Sequence, residues 1–202
     1  KTRTALVTGA SGGIGAAIAS KLAQEGLRVV LVARRQAILN DLAAEIRRDG
    51  GQATVIDADL AVESERLRVY QAVIDQWGGL DVLVNNAGFG WYGYVQEMPW
   101  DLALEMLKVN ISALVQFTVL FLPVMKRKHS GHIINIGSIA GSIPSQGVAL
   151  YSATKSFVNA FTTSLFRELS RSGVSVSVIR LGPVTTEFFQ KMNQRKSRLL
   201  EI

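Results

Sequence analysis

The sequence has 202 residues, of which 48% are hydrophobic and 19% charged, which excludes a disordered or collagen-like chain. It contains no cysteine, which excludes a disulfide scaffold, a thiolate zinc site and a cysteine nucleophile. Its two histidines, His129 and His132, are too few for a histidine-built metal site and argue against a Ser-His-Asp triad. The formal net charge of +6 permits an anionic ligand. We expect no metal and a cytoplasmic location.

Short apolar runs rich in β-branched residues alternate with longer helical patterns. The predicted strands are residues 4–8, 28–32, 53–56, 81–84, 132–136 and 174–179, and the predicted helices about 14–25, 36–49, 63–77, 100–126 and 151–171. The strands are almost continuously apolar, as strands covered on both faces are. The sequence therefore predicts one α/β domain over residues 1–202, a doubly wound parallel sheet of the Rossmann type with helices on both faces.

The longest apolar stretch, residues 111–125, contains polar residues and a proline. It is shorter than the roughly 20 residues of a bilayer span. We therefore expect a helix of a core or an interface and no membrane span.

A glycine-rich segment, residues 8–15 (TGASGGIG), lies between the first predicted strand and the first helix. Glycines in this position allow a tight turn and a close backbone approach to a pyrophosphate, which the N–H groups of the helix start then bind. Glycine clusters also form ordinary turns, but the flanking strand and helix favour a dinucleotide site.

The second predicted strand ends in Ala33, Arg34 and Arg35, without an acid. A free ribose 2′-hydroxyl is bound by a carboxylate at this position, whereas a 2′-phosphate is bound by a guanidinium. The alternative is two solvated arginines at the start of a surface helix. The missing acid favours the phosphate and therefore NADP(H).

Tyr151 and Lys155 are four residues apart in a predicted helix, so they share one face. A nearby cation favours phenolate, and we expect it to lower the pKa of Tyr151 toward the range of a general acid or base. Such pairs also arise by chance on helix surfaces. Ser138, which follows the strand predicted to end at residue 136, lies where ligand sites in such sheets are found.

Taken in order, these segments resemble the classical short-chain dehydrogenase/reductase family over essentially the whole chain. The matching elements are residues 8–15, Asp59-Leu60, Asn85-Asn86-Ala87-Gly88, Asn110, Ser138, and Tyr151 with Lys155. The Gly12-Gly13 doublet also fits the glycine spacing of the extended branch of the family. The segment 85–88, the spacing from Ser138 to Tyr151 and the short chain favour the classical branch.

The resemblance implies roles for four residues. Tyr151 would exchange a proton with the substrate oxygen, and Ser138 would hydrogen-bond that oxygen. Lys155 would bind the nicotinamide ribose and lower the tyrosine pKa, and Asn110 would hold a water in a proton relay behind Lys155. The cofactor contacts implied in addition are Gly9, Ser11, Gly13, Ile14, Gly15, Arg34, Arg35, Asp59, Leu60, Asn86, Ala87, Gly88, Tyr151, Gly182, Val184 and Thr186.

The carboxyl-terminal part departs from the family pattern in two ways. Leu181 stands where the family often has proline, and the sequence ends about 20 residues after that segment. The substrate lid and the final strand of the family have no adequate room, so we expect the gene product to continue past Ile202, or a segment after Thr186 to be absent.

The aromatic segment 89–94 is either one wall of an apolar substrate pocket or simple loop packing. The basic residues 191–198 indicate a solvated segment rather than nucleic-acid binding.

The predicted helices 100–126 and 151–171 carry more apolar residues than one face of the sheet can cover. We therefore predict a homodimer or homotetramer that associates through these two helices. The apolar residues include Phe117, Leu120, Phe121, Phe157, Phe161 and Phe166.

The leading hypothesis is an NADP(H)-dependent oxidoreductase that interconverts a carbonyl and a secondary alcohol on a small, apolar substrate. Its rivals are a non-catalytic cofactor-binding regulator of the same fold and an extended-type nucleotide-sugar epimerase or dehydratase.

Overall fold

A computed structural model describes residues 2–143 and 145–182. In these residues the elements follow one another in the order β1 (Thr4–Thr8), α1 (Gly13–Gln24), β2 (Arg28–Ala33), α2 (Gln36–Arg48), β3 (Gln52–Asp57), α3 (Glu63–Trp77), β4 (Val82–Asn85), α4 (Trp100–Leu107), α5 (Ala113–Arg127), β5 (Gly131–Ser138), α6 (Ala149–Glu168) and β6 (Val174–Leu181).

The strands form a six-stranded sheet in the order β3-β2-β1-β4-β5-β6, with every neighbouring pair parallel. Chain order reverses direction on the two sides of β1, which makes the junction of β1 and β4 the topological switch point. Because all the strands run the same way, the loops after them meet at one edge. The predicted doubly wound sheet of the Rossmann type is confirmed.

Helices pack on both faces of the sheet, as the continuous apolar strands predicted. One core lies between the sheet and helices α3, α5 and α6, and the other lies under α1 and α2. Phe117 and Phe121 of α5 are fully buried in the first core, where the ring of Tyr70 packs edge-on against Phe121. Their expected place on an association surface is therefore wrong, since the sheet and α3 already cover them.

Local sequence signals explain several helix boundaries. Helix α3 begins with Glu63 and Glu65 in its first turn, where carboxylates stabilise the positive end of the helix dipole. It ends at Gly78, whose left-handed backbone (φ 69°) closes the last turn at no steric cost. Helix α6 ends at residue 168 rather than 171, because Arg171 and Gly173 adopt positive φ to turn the chain back toward the sheet.

The helix expected over residues 100–126 is interrupted. A single π-helical turn, Lys108–Ser112, separates α4 from α5, and it carries the buried Asn110. The helical run Trp100–Arg127 is long and apolar enough to cross a membrane by length and composition alone. Core helices pass the same test, and here α5 packs against α3 and β5. Its packing identifies it as a helix of the fold.

Candidate active site

The polar and glycine-rich segments singled out in the sequence gather at the carboxyl edge of the sheet. The glycine-rich loop follows β1, the arginine pair follows β2, and Asp59 follows β3. Residues 86–88 follow β4, and Ser138 is the last residue of β5, two residues beyond its predicted end. That extension arises because Gly137 and Ser138 pair with Arg180 and Leu181 of β6, a tertiary contact without a local signal.

The glycines of the β1–α1 loop allow a close packing of backbone that a side chain at these positions would prevent. A Cβ on Gly9, which has φ 67°, would lie 2.9 Å from the Cα of Ala87. A Cβ on Gly15 would lie 2.3 Å from the carbonyl oxygen of Gly9 and 2.4 Å from Asn86 Nδ2. Helix α1 starts at Gly13, and its first turn carries no acidic side chain. The loop therefore brings bare backbone and free N–H groups to the switch point, as a pyrophosphate requires.

Thr8 joins the glycine-rich loop to the loop after β4. Its hydroxyl oxygen accepts hydrogen bonds from the backbone N–H groups of Asn86 (2.9 Å) and Ala87 (3.0 Å), and it donates to the carbonyl of Val84 (3.2 Å). The amide of Asn86 donates back to the carbonyl of Thr8 (2.9 Å). Sequence reasoning placed Thr8 in the motif but missed this role, because its partners lie more than 70 residues away.

The two arginines after β2 contact different groups. Arg35 donates from Nη2 to the carbonyl of Ser11 (2.7 Å) and from Nε to its hydroxyl (3.2 Å), at the rim of the glycine-rich loop. Arg34 forms an ion pair with Glu105 of α4, with 3.1 Å between Nη1 and Oε1. Glu105 gave no signal in the sequence beyond its place in a helical pattern.

The segment after β3 is held by the side chain of Asp59 and by the buried Arg66. The carboxylate of Asp59 accepts the N–H of Ala61 (2.9 Å), which closes a tight turn. The carbonyl of Leu60 accepts a hydrogen bond from Arg66 of α3 at 2.6 Å. Asp59 and Leu60 thus lie on the same side of the switch point as the arginines, where an adenosine group is expected.

Ser138 and Tyr151 form the polar centre of the site. Burial raises the pKa of the Tyr151 phenol above its usual 10.0, and a hydrogen bond with Ser138 partly offsets this rise. The Ser138 hydroxyl also accepts the N–H of Ala140 at 3.1 Å, which fixes its position at the end of β5. A partly buried phenol that remains protonated at neutral pH is suited to donate a proton.

Lys155 lies one turn further along α6 and is buried. Its ammonium donates to the carbonyl of Ile136 at 2.8 Å, and it lies 5.9 Å from the centre of the Tyr151 ring. Burial lowers the pKa of Lys155 from 10.5 to about 8. The expected lowering of the Tyr151 pKa by Lys155 is not what this structure gives, because burial raises that pKa and the contact that lowers it is the hydrogen bond with Ser138.

Asn110 connects the interrupted helix to the rest of the site. Its Oδ1 accepts the N–H of Phe89 (3.0 Å), and its Nδ2 donates to the carbonyl of Phe89 (2.9 Å) and to the hydroxyl of Thr154 (3.1 Å). A Cβ on Gly88 would lie 3.1 Å from Asn110 Oδ1 and 3.6 Å from Lys155 Nζ. In this structure the Asn110 side chain therefore acts as a brace between Phe89 and Thr154. No signal in the sequence indicated the part that Thr154 plays in this contact.

The remaining sequence predictions fall partly outside the described residues. Gly182 is described, and a Cβ on it would meet only Ile139, at 4.0 Å. Val184, Thr186 and the basic residues 191–198 lie outside the described residues. Among residues 2–143 and 145–182, no group of three or more His, Cys, Asp or Glu side chains is placed to hold a metal ion.

A doubly wound parallel sheet, a glycine-rich loop at its switch point and a Ser–Tyr–Lys group at the same edge define a Rossmann-type α/β protein. The family model for short chain dehydrogenases matches residues 3–197. The chain belongs to the classical short-chain dehydrogenase/reductase family, and it is an oxidoreductase of that family.

Among curated proteins, the chain is similar to an uncharacterized oxidoreductase of Staphylococcus epidermidis, with 38% identity over the whole chain and 86% of that protein. Among solved structures, it resembles a metagenomic short-chain oxidoreductase in complex with NADP, with 40% identity, a TM-score of 0.86, and coverage of 90% of this chain and 82% of that one.

Two further structures resemble the chain with a TM-score of 0.90. A variant of actinorhodin polyketide ketoreductase with NADPH is 34% identical and is matched over 100% of this chain and 78% of that one. A short chain dehydrogenase/reductase from Burkholderia phymatum in complex with NAD is 25% identical, over 96% of this chain and 70% of that one. Relatives of this fold thus occur in complexes with either dinucleotide.

Proposed function

We propose that this protein is an NADP(H)-dependent oxidoreductase that interconverts a carbonyl and a secondary alcohol on a small, apolar substrate. The observation that carries the proposal is the hydrogen-bonded pair of Ser138 and Tyr151, with Lys155 buried on the same helix. This group lies at the same sheet edge as the glycine-rich loop. A protein that only binds a cofactor has little physical need for such a group.

Tyr151 is the proposed acid in carbonyl reduction. Its raised pKa keeps the phenol protonated at neutral pH, so it can give its proton to a carbonyl oxygen that gains negative charge. Ser138 donates a second hydrogen bond to the same oxygen. The nicotinamide cofactor, when bound, supplies or accepts the hydride. In alcohol oxidation Tyr151 takes the proton back.

Lys155 is proposed to hold the cofactor and to stabilise the charge that Tyr151 leaves behind. One N–H of its ammonium is used by Ile136, and the ammonium has further donors for the hydroxyls of a ribose. A positive charge 5.9 Å from the phenol ring favours the phenolate once the proton has moved.

The site fits a dinucleotide on the evidence of its backbone. Gly9 and Gly15 let the glycine-rich loop pack directly against Asn86 and Ala87, and the start of α1 offers N–H groups without a competing carboxylate. Arg34 and Arg35 in place of an acid after β2 support NADP(H) as the preferred form. The complexes of two relatives with NADP and NADPH support the same preference.

The aromatic loop after β4 is proposed as one wall of the substrate pocket. Trp91 is buried beneath Gly93 and belongs to the loop's own packing, whereas the rings of Tyr92 and Tyr94 are exposed. The hydroxyl of Tyr94 accepts a hydrogen bond from Gln146 at 3.0 Å, in the segment that leads to Tyr151. Exposed aromatic rings on a loop that contacts the segment leading to Tyr151 suit an apolar carbonyl compound.

The test is the substitution Tyr151→Phe, which retains the ring and removes only the proton donor. With a panel of apolar ketones and NADPH absorbance as the readout, we expect turnover to fall by at least about 10²-fold, while NADPH binding is retained. Tyr70→Phe is the matched control, because Tyr70 packs against Phe121 in the core. Turnover near that of the unmodified protein in Tyr151→Phe would remove Tyr151 from the mechanism.

The cytoplasmic location and the absence of nucleic-acid binding remain predictions, which cell fractionation and a filter-binding assay test.

A further inference from the structure

The ion pair between Arg34 and Glu105 bridges the two sides of the switch point. Arg34 follows β2, and Glu105 belongs to α4, which follows β4. Strands β2 and β4 are the two neighbours of β1, whose carboxyl end carries the glycine-rich loop. A contact of 3.1 Å between residues 71 positions apart therefore joins segments from the two sides of the crevice in which the dinucleotide is proposed to bind.

The two arginines are placed differently with respect to this crevice. Arg35 hydrogen-bonds Ser11 and so lies along the glycine-rich loop. Arg34 instead has its guanidinium directed to a carboxylate across the opening. Both side chains of the pair remain in contact with water, with 54% of Arg34 and 30% of Glu105 exposed. An ion pair with that exposure is weak enough for another anion to replace it.

We propose that Glu105 is a specificity-determining residue that competes with the 2′-phosphate of NADP(H) for the Arg34 guanidinium. This inference rests on the proposed function. The Glu105 carboxylate holds Nη1 of Arg34 and turns the guanidinium toward α4, so a phosphate must draw the guanidinium away from this partner to form a forked contact of its own. Glu105 therefore weakens the binding of NADP(H) and leaves the binding of NAD(H), which lacks this phosphate, unchanged.

The experiment compares Glu105→Gln, Arg34→Ala and the double variant with the unmodified protein. The readout is the equilibrium dissociation constant of NADPH and of NADH, measured by calorimetry without substrate. Glu25→Gln is the matched control, because it removes one carboxylate from an exposed ion pair with Lys21, just before β2 at the opposite edge of the sheet.

We expect Glu105→Gln to bind NADPH about two- to fivefold more tightly, the effect of releasing an exposed ion pair. The affinity for NADH should remain within about twofold of that of the unmodified protein. Arg34→Ala should weaken NADPH binding about tenfold or more, as the loss of a charge-assisted contact does. In the Arg34→Ala background, Glu105→Gln should have no further effect on NADPH, and neither should Glu25→Gln alone.

Unchanged or weaker NADPH binding by Glu105→Gln overturns the competition. An equal gain in the Arg34→Ala background also overturns it, since a general change of charge would then explain the result. If the unmodified protein binds neither dinucleotide, the proposed function itself fails. If it binds NADPH and the substitution changes nothing, only the role of Glu105 fails.

Discussion

The ammonium group of Lys155 lies where water does not reach it, and this position has an energetic cost. Only 6% of the residue is exposed, and burial lowers the pKa of its ammonium from 10.5 to about 8. A shift of that size corresponds to about 3 kcal/mol of lost stability for the charged form. The hydrogen bond to Ile136 recovers part of the cost. A buried cation of this kind is expected at a site of chemistry and is rare in a core.

This cost predicts how stability depends on pH. Folded Lys155 loses its proton near pH 8, and the unfolded residue loses it near 10.5. Unfolding therefore takes up a proton between these values, and the folded state gains stability as the pH rises through them. Relative to Lys155→Met, the unmodified protein should gain about 3 kcal/mol in free energy of unfolding across this range.

Urea unfolding at neutral pH and at about pH 10 measures the gain. Lys126→Met, which removes an exposed ammonium from the last turn of α5, controls for the change in net charge. A difference between Lys155→Met and the unmodified protein that stays constant with pH would contradict the assignment.

At the scale of the elements, the long helical run serves both the core and the site. Helix α5 directs Phe117 and Phe121 into the core, and the π turn before it directs Asn110 toward Phe89 and Thr154. A π turn adds one residue to a helical turn, so it shifts the faces of α4 relative to those of α5. The single break thus lets one helical run serve two different sets of contacts.

Helix α3 contributes a buried arginine that braces the loop after β3. Arg66 is 6% exposed, and burial lowers the pKa of its guanidinium, which Glu63 partly opposes. The guanidinium donates to the carbonyl of Leu60 and to the side chain of Gln116 on α5. It therefore joins three segments of the chain around one group.

We expect Arg66→Ala to destabilise the protein by about 1.5–3 kcal/mol, because buried acceptors lose a charged donor. The matched control is Arg68→Ala in the same helix, whose side chain is 48% exposed, and we expect a change of no more than about 0.5 kcal/mol for it. Chemical unfolding gives both values. Equal effects of the two substitutions would show that Arg66 is not a brace.

For the whole molecule, the outer surfaces of α5 and α6 carry large apolar side chains that are exposed to solvent. Val119 of α5 is 61% exposed and Phe166 of α6 is 65% exposed. The ring of Phe157 stacks on that of Phe161, with 5.7 Å between their centres. With Phe117 and Phe121 buried, these outward residues are the basis for the predicted homodimer or homotetramer.

Light scattering at micromolar concentration should therefore give the mass of a dimer or a tetramer. Phe166→Glu and Val119→Glu should each shift the protein toward the monomer, because a charge in an apolar interface is not solvated. Ile38→Glu, at an exposed apolar position of α2 on the other face of the sheet, should leave the mass unchanged. A monomeric mass for the unmodified protein would refute the association.

Local patterns in the sequence were enough to predict the order of strands and helices, the parallel sheet and the segments that meet at its carboxyl edge. Apolar strand patterns that alternate with helical patterns, and the glycine-rich segment after the first strand, encode this order locally. A parallel sheet then brings the loops after all its strands to one edge. Tyr151 and Lys155 could be paired from helical spacing alone.

Properties that depend on burial and on distant partners could be read only from the folded molecule. The pKa of Tyr151 is raised rather than lowered, because burial is a property of the packed molecule. The partners of Thr8, Arg34, Arg66 and Asn110 lie in other elements, and Phe117 and Phe121 belong to the core because α3 and the sheet cover them. Contacts between residues far apart in the sequence form only when the chain has folded, so no local pattern encodes them.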